Sequence, residues 1–370
     1  MRFSHAADCH IGGHRNPKLR ALTEQAFKRF IQESIAANVD FIVIAGDLFN
    51  TALPGISTIQ FTVQQLKQCK DRNIPVYAIP GSHDYSPSGK TMLAVLEEAG
   101  LLVNVFKGTI SEKTLTLEWT TDKTGVKLTG IPGLRGMLDT KLYENITLTP
   151  ETQSIFLFHT AITELTDIPG SQSIEKLPAG CTYYAGGHVH IVQEAVKQDK
   201  HLAYPGPLFP NSFTELEELK HGGYYLYEDG TLTHKKIELK RIIPLTLTLP
   251  AQLPQQDVSD AIVLLRIQGE GHVDIRPLLL ELEQRGAYAI LCNTSNVHTT
   301  TFTPTEIEEA HDIEAALLEE HKEQLQLQGR NGQALAKTLL TVLAREQQDG
   351  EKVYEYKEAV VKEALNAMDE

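Results

Sequence analysis

From Arg2 to about residue 235 the hydrophobic pattern alternates between two periods. Short apolar or β-branched runs predict strands at Arg2 to Ala7, Phe41 to Ala45, Val76 to Ile79, Leu115 to Leu117, Val126 to Ile131, Ser154 to Phe158 and Thr182 to Ala185. Among the first of these, apolar residues recur at helical spacing. Leu19, Leu22, Ala26, Phe30 and Ile35 do so within Lys18 to Ala37, and Ile56, Ile59, Val63, Leu66 and Cys69 do so ahead of the third strand. Gly89 to Ala99 predicts a third helix with Gly100 as its C-cap. Phe41 to Ala45 is apolar throughout, so both of its faces need covering. The expected class is α/β, a layered sheet with helices on its faces.

The pattern changes after about residue 236, where Pro244, Pro250 and Pro254 punctuate a transition. A compact unit follows, with a strand at Ala261 to Ile267, a helix at Ile275 to Gln284 and a strand at Ala287 to Cys292. It carries no candidate ligands. Thr303-Pro304 then opens a polar helical segment with Ile307, Ala310, Ile313 and Leu317 on one face. Gly329 and Gly332 interrupt it, Leu335, Leu339 and Leu343 continue it, and Val353, Val361, Leu365 and Met368 form a last stripe. Three regions result: 1–235, 236–302 as a small α+β domain, and 303–370. The stripes of the third suit packing within its own domain or docking onto a partner's helices.

With 41% hydrophobic and 22% charged residues in 370, the chain falls among ordinary soluble globular proteins. No run resembles a membrane span or a signal peptide, and Cys9, Cys69, Cys181 and Cys292 lie far apart without C-x-x-C spacing, so a reducing cytoplasm is expected. The formal charge of −14 argues against a self-contained polyanion binder. Any nucleic-acid substrate must be held by local basic patches, bound metal ions or a partner.

The chemistry lies at the strand ends. The first strand runs into Asp8-Cys9-His10, the second into Gly46-Asp47, the third into Gly81-Ser82-His83-Asp84, a later one into His159 and the last into Gly187-His188-Val189-His190. Open α/β sheets place ligands at such ends. Each item alone reads as a turn or a packed histidine; their joint occurrence does not. The pairs Asp8/His10 and His188/His190 are spaced i, i+2, which puts both members on one side of an extended chain, as a chelate requires. Carboxylate and imidazole without thiolate suit Mn²⁺, Fe²⁺ or Zn²⁺ better than Ca²⁺ or an iron–sulfur cluster. Six or seven such groups, one of them an Asp able to bridge, exceed the needs of one ion and fit a two-metal clamp for phosphoryl displacement.

In its full order this series resembles the calcineurin-like metallophosphoesterase signature. Asp8-Cys-His-Ile-Gly12, Gly46-Asp-Leu-Phe49 and Tyr204-Pro-Gly-Pro207 resemble, more narrowly, the nuclease subunit of the double-strand-break repair complex, the meiotic-recombination-eleven or SbcD family, with an archaeal member expected. The likeness is strong over residues 1–225 and thin beyond. It implies a metallophosphoesterase sheet sandwich and a Mn²⁺-dependent DNA nuclease of break repair with two Mn²⁺ per chain, other divalent ions being possible. Asp8, His10 and His190 would hold one metal, His159 and His188 the other, and Asp47 would bridge. A hydroxide between the ions would attack phosphorus in line, His83 would stabilise the transition state or protonate the leaving oxygen, and Asp84 would orient His83.

Ser82 stands where the resembling superfamily has Asn. A shorter and poorer oxygen donor, it would reach the second metal through a water or not at all, weakening that site. Arg15, Lys18, Lys90 and Arg135 are the candidate DNA contacts. The resemblance further implies that 236–302 caps the active site, that 303–370 docks on the coiled coil of an ABC-type ATPase, the SbcC or Rad-fifty subunit, and that the protein is a homodimer at the nucleoid. A metallophosphoesterase for small phosphodiesters and a non-catalytic DNA-end tether remain as alternatives.

Overall fold

The computed structural model describes residues 1–298 except 87–90, 112–113, 135–139, 167, 169, 198–199 and 272, together with 326–327, 330–331, 335, 338–339, 341–342 and 353–369. Lys90, Arg135 and the helix expected from Thr303 fall outside these residues. The chain divides into two compact units, Met1–His298 and Thr299–Glu370.

The first unit begins with β1 (Arg2–Ala6), α1 (Pro17–Ala36), β2 (Phe41–Ala45), α2 (Ile56–Lys70), β3 (Val76–Ile79), α3 (Met92–Glu98) and β4 (Val103–Asn104). It continues through β5 (Gly108–Ser111), β6 (Thr114–Leu117), β7 (Thr120–Thr121), β8 (Lys127–Ile131), β9 (Ile146–Thr147), β10 (Ser154–His159) and β11 (Tyr183–Gly187). Next come β12 (Val192–Lys197), β13 (Lys200–Pro205), α4 (Phe213–Leu219), β14 (Gly222–Glu228) and β15 (Thr231–Ile237). Helix α1 starts where the chemistry asks it to: Pro17 occupies the first turn and the Asn16 side chain accepts from Lys18 N at 2.9 Å. Helix α3 starts at Met92, later than the pattern suggested, because Thr91 caps it by accepting from Ala94 N. Gly100 at φ +63° follows its end.

The sheet sandwich that the resemblance implied is what the structure has: two facing six-stranded sheets, in the orders β15-β14-β1-β2-β3-β4 and β12-β13-β11-β10-β8-β7, where the hydrophobic pattern by itself gave only a layered sheet. The difference has a simple origin. Strand β10 is buried at all six positions, and an apolar run of that kind reads the same whether a helix or a second sheet covers it. Alternate residues sort the layers. Phe3, Phe41, Val43, Tyr77 and Ile79 meet Leu128, Ile155, Leu157, Tyr183 and Ala185 between the sheets. Ile42, Ile44, Val76 and Ala78 face Leu22, Phe27, Phe30 and Leu66 of the helices. The neighbours β1, β2, β3 and β4 are parallel, as are β8, β10, β11 and β13, so the C-terminal ends within each set lie at one edge.

A three-stranded parallel sheet completes the unit: β16 (Ile242–Thr248), β17 (Ile262–Glu270) and, after α5 (Arg276–Gln284), β18 (Ala289–His298). Pro244, read as punctuation, lies inside β16. It is tolerated because β16 is the edge strand and Pro244 is on its exposed face, while Ile243, Leu245 and Leu247 are buried. This sheet packs on the rest of the unit through Ile262, Leu264 and Ala289. The Tyr288 hydroxyl donates to the Lys18 carbonyl at 3.2 Å, and the Lys240 ammonium lies 4.5 Å from the Tyr288 ring centroid.

In the second unit the described elements are the short pair β19 (Gln326–Leu327) and β20 (Arg330–Asn331) and the helix α6 (Val353–Asp369), on which Val361 and Leu365 are exposed.

Candidate metal centre

Ends of strands from both sheets converge on one cluster. After β1 the chain turns so that Asp8 N donates to Gly46 O (3.1 Å) and His10 N to Asp47 O (3.0 Å), locking the first two ligand segments together. Asp8, His10, Asp47 and His188 have φ of 50°, 43°, 51° and 90°, left-handed conformations that cost a non-glycine residue energy. Strain concentrated on four residues of one cluster marks a site whose geometry is selected for something other than stability.

The ligand atoms fall into three overlapping sets, Asp8/His10/His190, Asp8/Asp47/His159 and His10/Asp47/His83, each with its atoms within 4.8 Å of one another. His10 Nε2 and His190 Nε2 are 3.1 Å apart. Asp47 Oδ2 lies 3.2 Å from His159 Nε2 and 3.9 Å from His10 Nε2, and Asp8 Oδ1 lies 3.8 Å from His190 Nε2 and 4.0 Å from His159 Nε2. Both carboxylates thus reach imidazoles of two sets, whereas the resemblance gave bridging to Asp47 alone. Among the described residues His188 enters none of the three sets; its ring stands edge-on to His159 with centroids 5.2 Å apart, and its backbone N–H donates to both oxygens of Asp8.

Side-chain to main-chain bonds hold these groups in place. His159 Nδ1 meets Ala45 O at 2.8 Å, which turns Nε2 inward; that buried nitrogen has no well-formed hydrogen bond. Asp47 Oδ1 accepts from His83 N at 2.7 Å, and Ser82 Oγ lies 3.4 Å from Asp47 Oδ2. Glycines make room. A Cβ on Gly46 would fall 2.1 Å from His159 Nδ1, one on Gly81 2.2 Å from Asp47 Oδ1, and one on Gly133 2.3 Å from His159 Cδ2.

Burial lowers His10 to about 3 against the pull of Asp47, and it lowers His188, with help from His159, to about 4. Both rings are therefore neutral and keep a lone pair for a cation. Burial also opposes charge on His159, but Asp47 and Asp8 outweigh it and raise the ring to about 10. The two buried carboxylates thus create a field that favours positive charge at the centre of the cluster. A buried His159 nitrogen turned toward the Asp47 and Asp8 carboxylates without a well-formed hydrogen bond, a carboxylate–imidazole donor set and this field together fit divalent cations.

Asp84, expected to orient His83, does something else. Its oxygens accept from Leu48 N, Phe49 N and Gly81 N at 3.0–3.1 Å, so it clamps the loop after β2 to the turn after β3. The Asn50 carbonyl is what meets His83 Nδ1, at 2.9 Å. Asp84→Asn is accordingly expected to cost about 2 kcal/mol, since an amide nitrogen would face a backbone N–H. An unchanged melting temperature would contradict the clamp.

Glu215 escaped the sequence reading. Its Oε2 lies 3.0 Å from His190 Nδ1. The pattern Ser212-x-x-Glu215, a capping box at the start of α4, was the available signal, but it speaks only of the helix. Arg15 and Lys18 are exposed on the segment after His10, and the Lys18 ammonium lies 5.7 Å from the Tyr288 ring centroid.

The family model described as calcineurin-like phosphoesterase matches residues 1–192. The chain is 33% identical to the DNA double-strand break repair protein Mre11 of Archaeoglobus fulgidus over 56% of this chain and 49% of that one. To the proteins of the same name in Methanopyrus kandleri and Saccharolobus solfataricus it is 28% and 30% identical, over 65% and 54% of this chain and 57% and 52% of theirs. The chain therefore spans about half the length of these relatives.

Proposed function

The chain belongs to the calcineurin-like phosphoesterase family, and on that premise we propose that it is a divalent-metal-dependent phosphodiesterase that cuts DNA in double-strand break repair. The convergence of Asp8, His10, Asp47, His159 and His190 into overlapping ligand sets carries the reading. Two ions suit these sets, one by Asp8, His10 and His190, the other by Asp47 and His159 with His188 alongside; the donors suit Mn²⁺, Fe²⁺ or Zn²⁺, and Mn²⁺ is the ion this proposal takes. When bound, such ions supply Lewis acidity toward the phosphoryl oxygens and acidify water.

The chain's own residues do the remainder. Asp47 is held by the His83 N–H and reaches both histidine groups, so it fixes the spacing between the two cradles. With Nδ1 directed at the Asn50 carbonyl, His83 has its Nε2 left to exchange a proton with the departing oxygen. Ser82 Oγ, beside Asp47, provides a weaker neutral donor than an amide. Since the net charge is −14, DNA must be gripped locally, and exposed Arg15 and Lys18 serve this role.

The partners in this proposal are a coiled-coil ABC ATPase of the SbcC or Rad-fifty type, received by 303–370 with the α6 stripe at Val361 and Leu365, and a second copy of the chain. The names of the relatives support the repair context. Incubation of the full chain with end-labelled duplex DNA and, in parallel, with bis-nitrophenyl phosphate tests the function. Chelator-sensitive DNA cleavage is expected in Mn²⁺. Hydrolysis of the nitrophenyl ester with DNA left intact would point to a small-phosphodiester enzyme, and metal-independent DNA binding without cleavage to a tether.

A further inference from the structure

Of Asp8, His10, Asp47, His159 and His190, the five ligands that carry the metal-centre reading, His190 is the most exposed. It lies beyond the end of β11 with 21% of its side chain exposed, whereas the side chains of Asp8, His10, Asp47 and His159 are each at most 3% exposed. What steadies it is α4. We propose that Glu215 is a positioning residue for the metal centre and that α4 is a strut through which the β16–β18 sheet sets His190. The proposal rests on the metal-centre reading above.

The geometry runs in one line. Glu215 Oε2, 3.0 Å from His190 Nδ1, fixes that nitrogen as the donor and turns Nε2 toward His10 Nε2 and Asp8 Oδ1. A carboxylate behind a ligating imidazole both orients the ring and strengthens it as a donor. Glu215 is itself pinned. Its Oε2 accepts from Asn211 N at 2.8 Å, its Oε1 from Ser212 Oγ at 3.1 Å, and its own N–H donates to Ser212 Oγ at 3.2 Å.

Two residues along the same helix, and so on its opposite face, Glu217 receives Arg266 Nη2 at 2.7 Å from β17. The Arg266 guanidinium also lies 5.1 Å from the ring centroid of Phe213, the first residue of α4. The pairing of β17 with β18 shifts register between Arg266 and Gln268, so the arginine sits at an irregularity of its sheet. With just seven residues, α4 has little length over which to flex. A displacement of the sheet at Arg266 is therefore passed to Glu215 and to the tilt of the His190 ring.

The test is Mn²⁺ binding to the full chain, read from the electron paramagnetic resonance signal of free Mn²⁺, for wild type, Glu215→Ala, Glu215→Gln, Arg266→Ala and the double variant Glu215→Ala/Arg266→Ala. Glu215→Ala is expected to weaken one of two sites about 10- to 100-fold. Glu215→Gln keeps an acceptor for Nδ1–H and regains part of that loss. Arg266→Ala weakens the same site roughly three- to tenfold in the wild-type background and has no further effect once Glu215 is Ala, the non-additivity expected of residues acting through one another. Wild-type affinity in Glu215→Ala would overturn the positioning role, and additive losses in the double variant would overturn the strut. A wild-type chain that takes up no Mn²⁺ would instead sink the metal-centre reading itself.

Discussion

Asp47→Ala is expected to lower the proposed metal-dependent phosphodiester cleavage, assayed in Mn²⁺, by about a thousandfold or more. The side chain belongs to two of the three ligand sets and touches the third through His10: one oxygen is within 4 Å of His159 and His10 and near Ser82, and the other holds the His83 N–H. Its removal takes away the charge that attracts cations and also the acceptor that places His83, so binding and proton transfer fail together. Asp47→Asn separates the two effects, because an amide oxygen can still receive the His83 N–H while the charge is gone. Both variants are expected to be inactive with initial rates measured at saturating Mn²⁺, and Asn is expected to melt closer to wild type. Activity within tenfold of wild type in either would remove Asp47 from the centre of the mechanism.

Gly46→Ala damages the site from the backbone side. The new Cβ would fall 2.1 Å from His159 Nδ1 and 2.6 Å from Cγ, and the ring has no freedom to retreat without losing its bond to Ala45 O. The position also has φ +89°, which alanine tolerates poorly. Loss of about 2–4 kcal/mol of stability and about a hundredfold of activity is expected. Gly125→Ala and Gly230→Ala are the controls. They share positive φ, +88° and +93°, but a Cβ there meets nothing within 4 Å. They should cost only the backbone strain, about 1 kcal/mol, with full activity. If Gly46→Ala behaved like these controls, the close approach of His159 to the chain would have no part in the site.

Asp8, His10, Asp47, His83, His159 and His190 were legible in the sequence because each follows an apolar run, and a strand end is a place that period and turn chemistry reveal locally. What stayed hidden is relational. Nothing in the local sequence of Asn50 says that its carbonyl meets His83, and Asp84 beside His83 invited a pairing that the distant N–H groups of Leu48 and Phe49, with that of nearby Gly81, pre-empt. Glu215 is 25 residues from His190 on another element, and their meeting depends on how α4 follows β13 back toward the first sheet. The two-sheet arrangement came from the resemblance and not from the hydrophobic pattern, since apolar runs such as Ile155 to Phe158 state that they are covered without stating by what. Strand β16 alternates cleanly, yet Pro244 within it looked like a break until its edge position was known.

Anomalous scattering at the Mn edge from a Mn²⁺-soaked crystal tests the central claim most directly. Two peaks on either side of Asp47 are expected, one against Asp8, His10 and His190 and the other against His159. No peak within reach of Asp47, or Mn²⁺ found only at other carboxylates of the surface, would contradict the account.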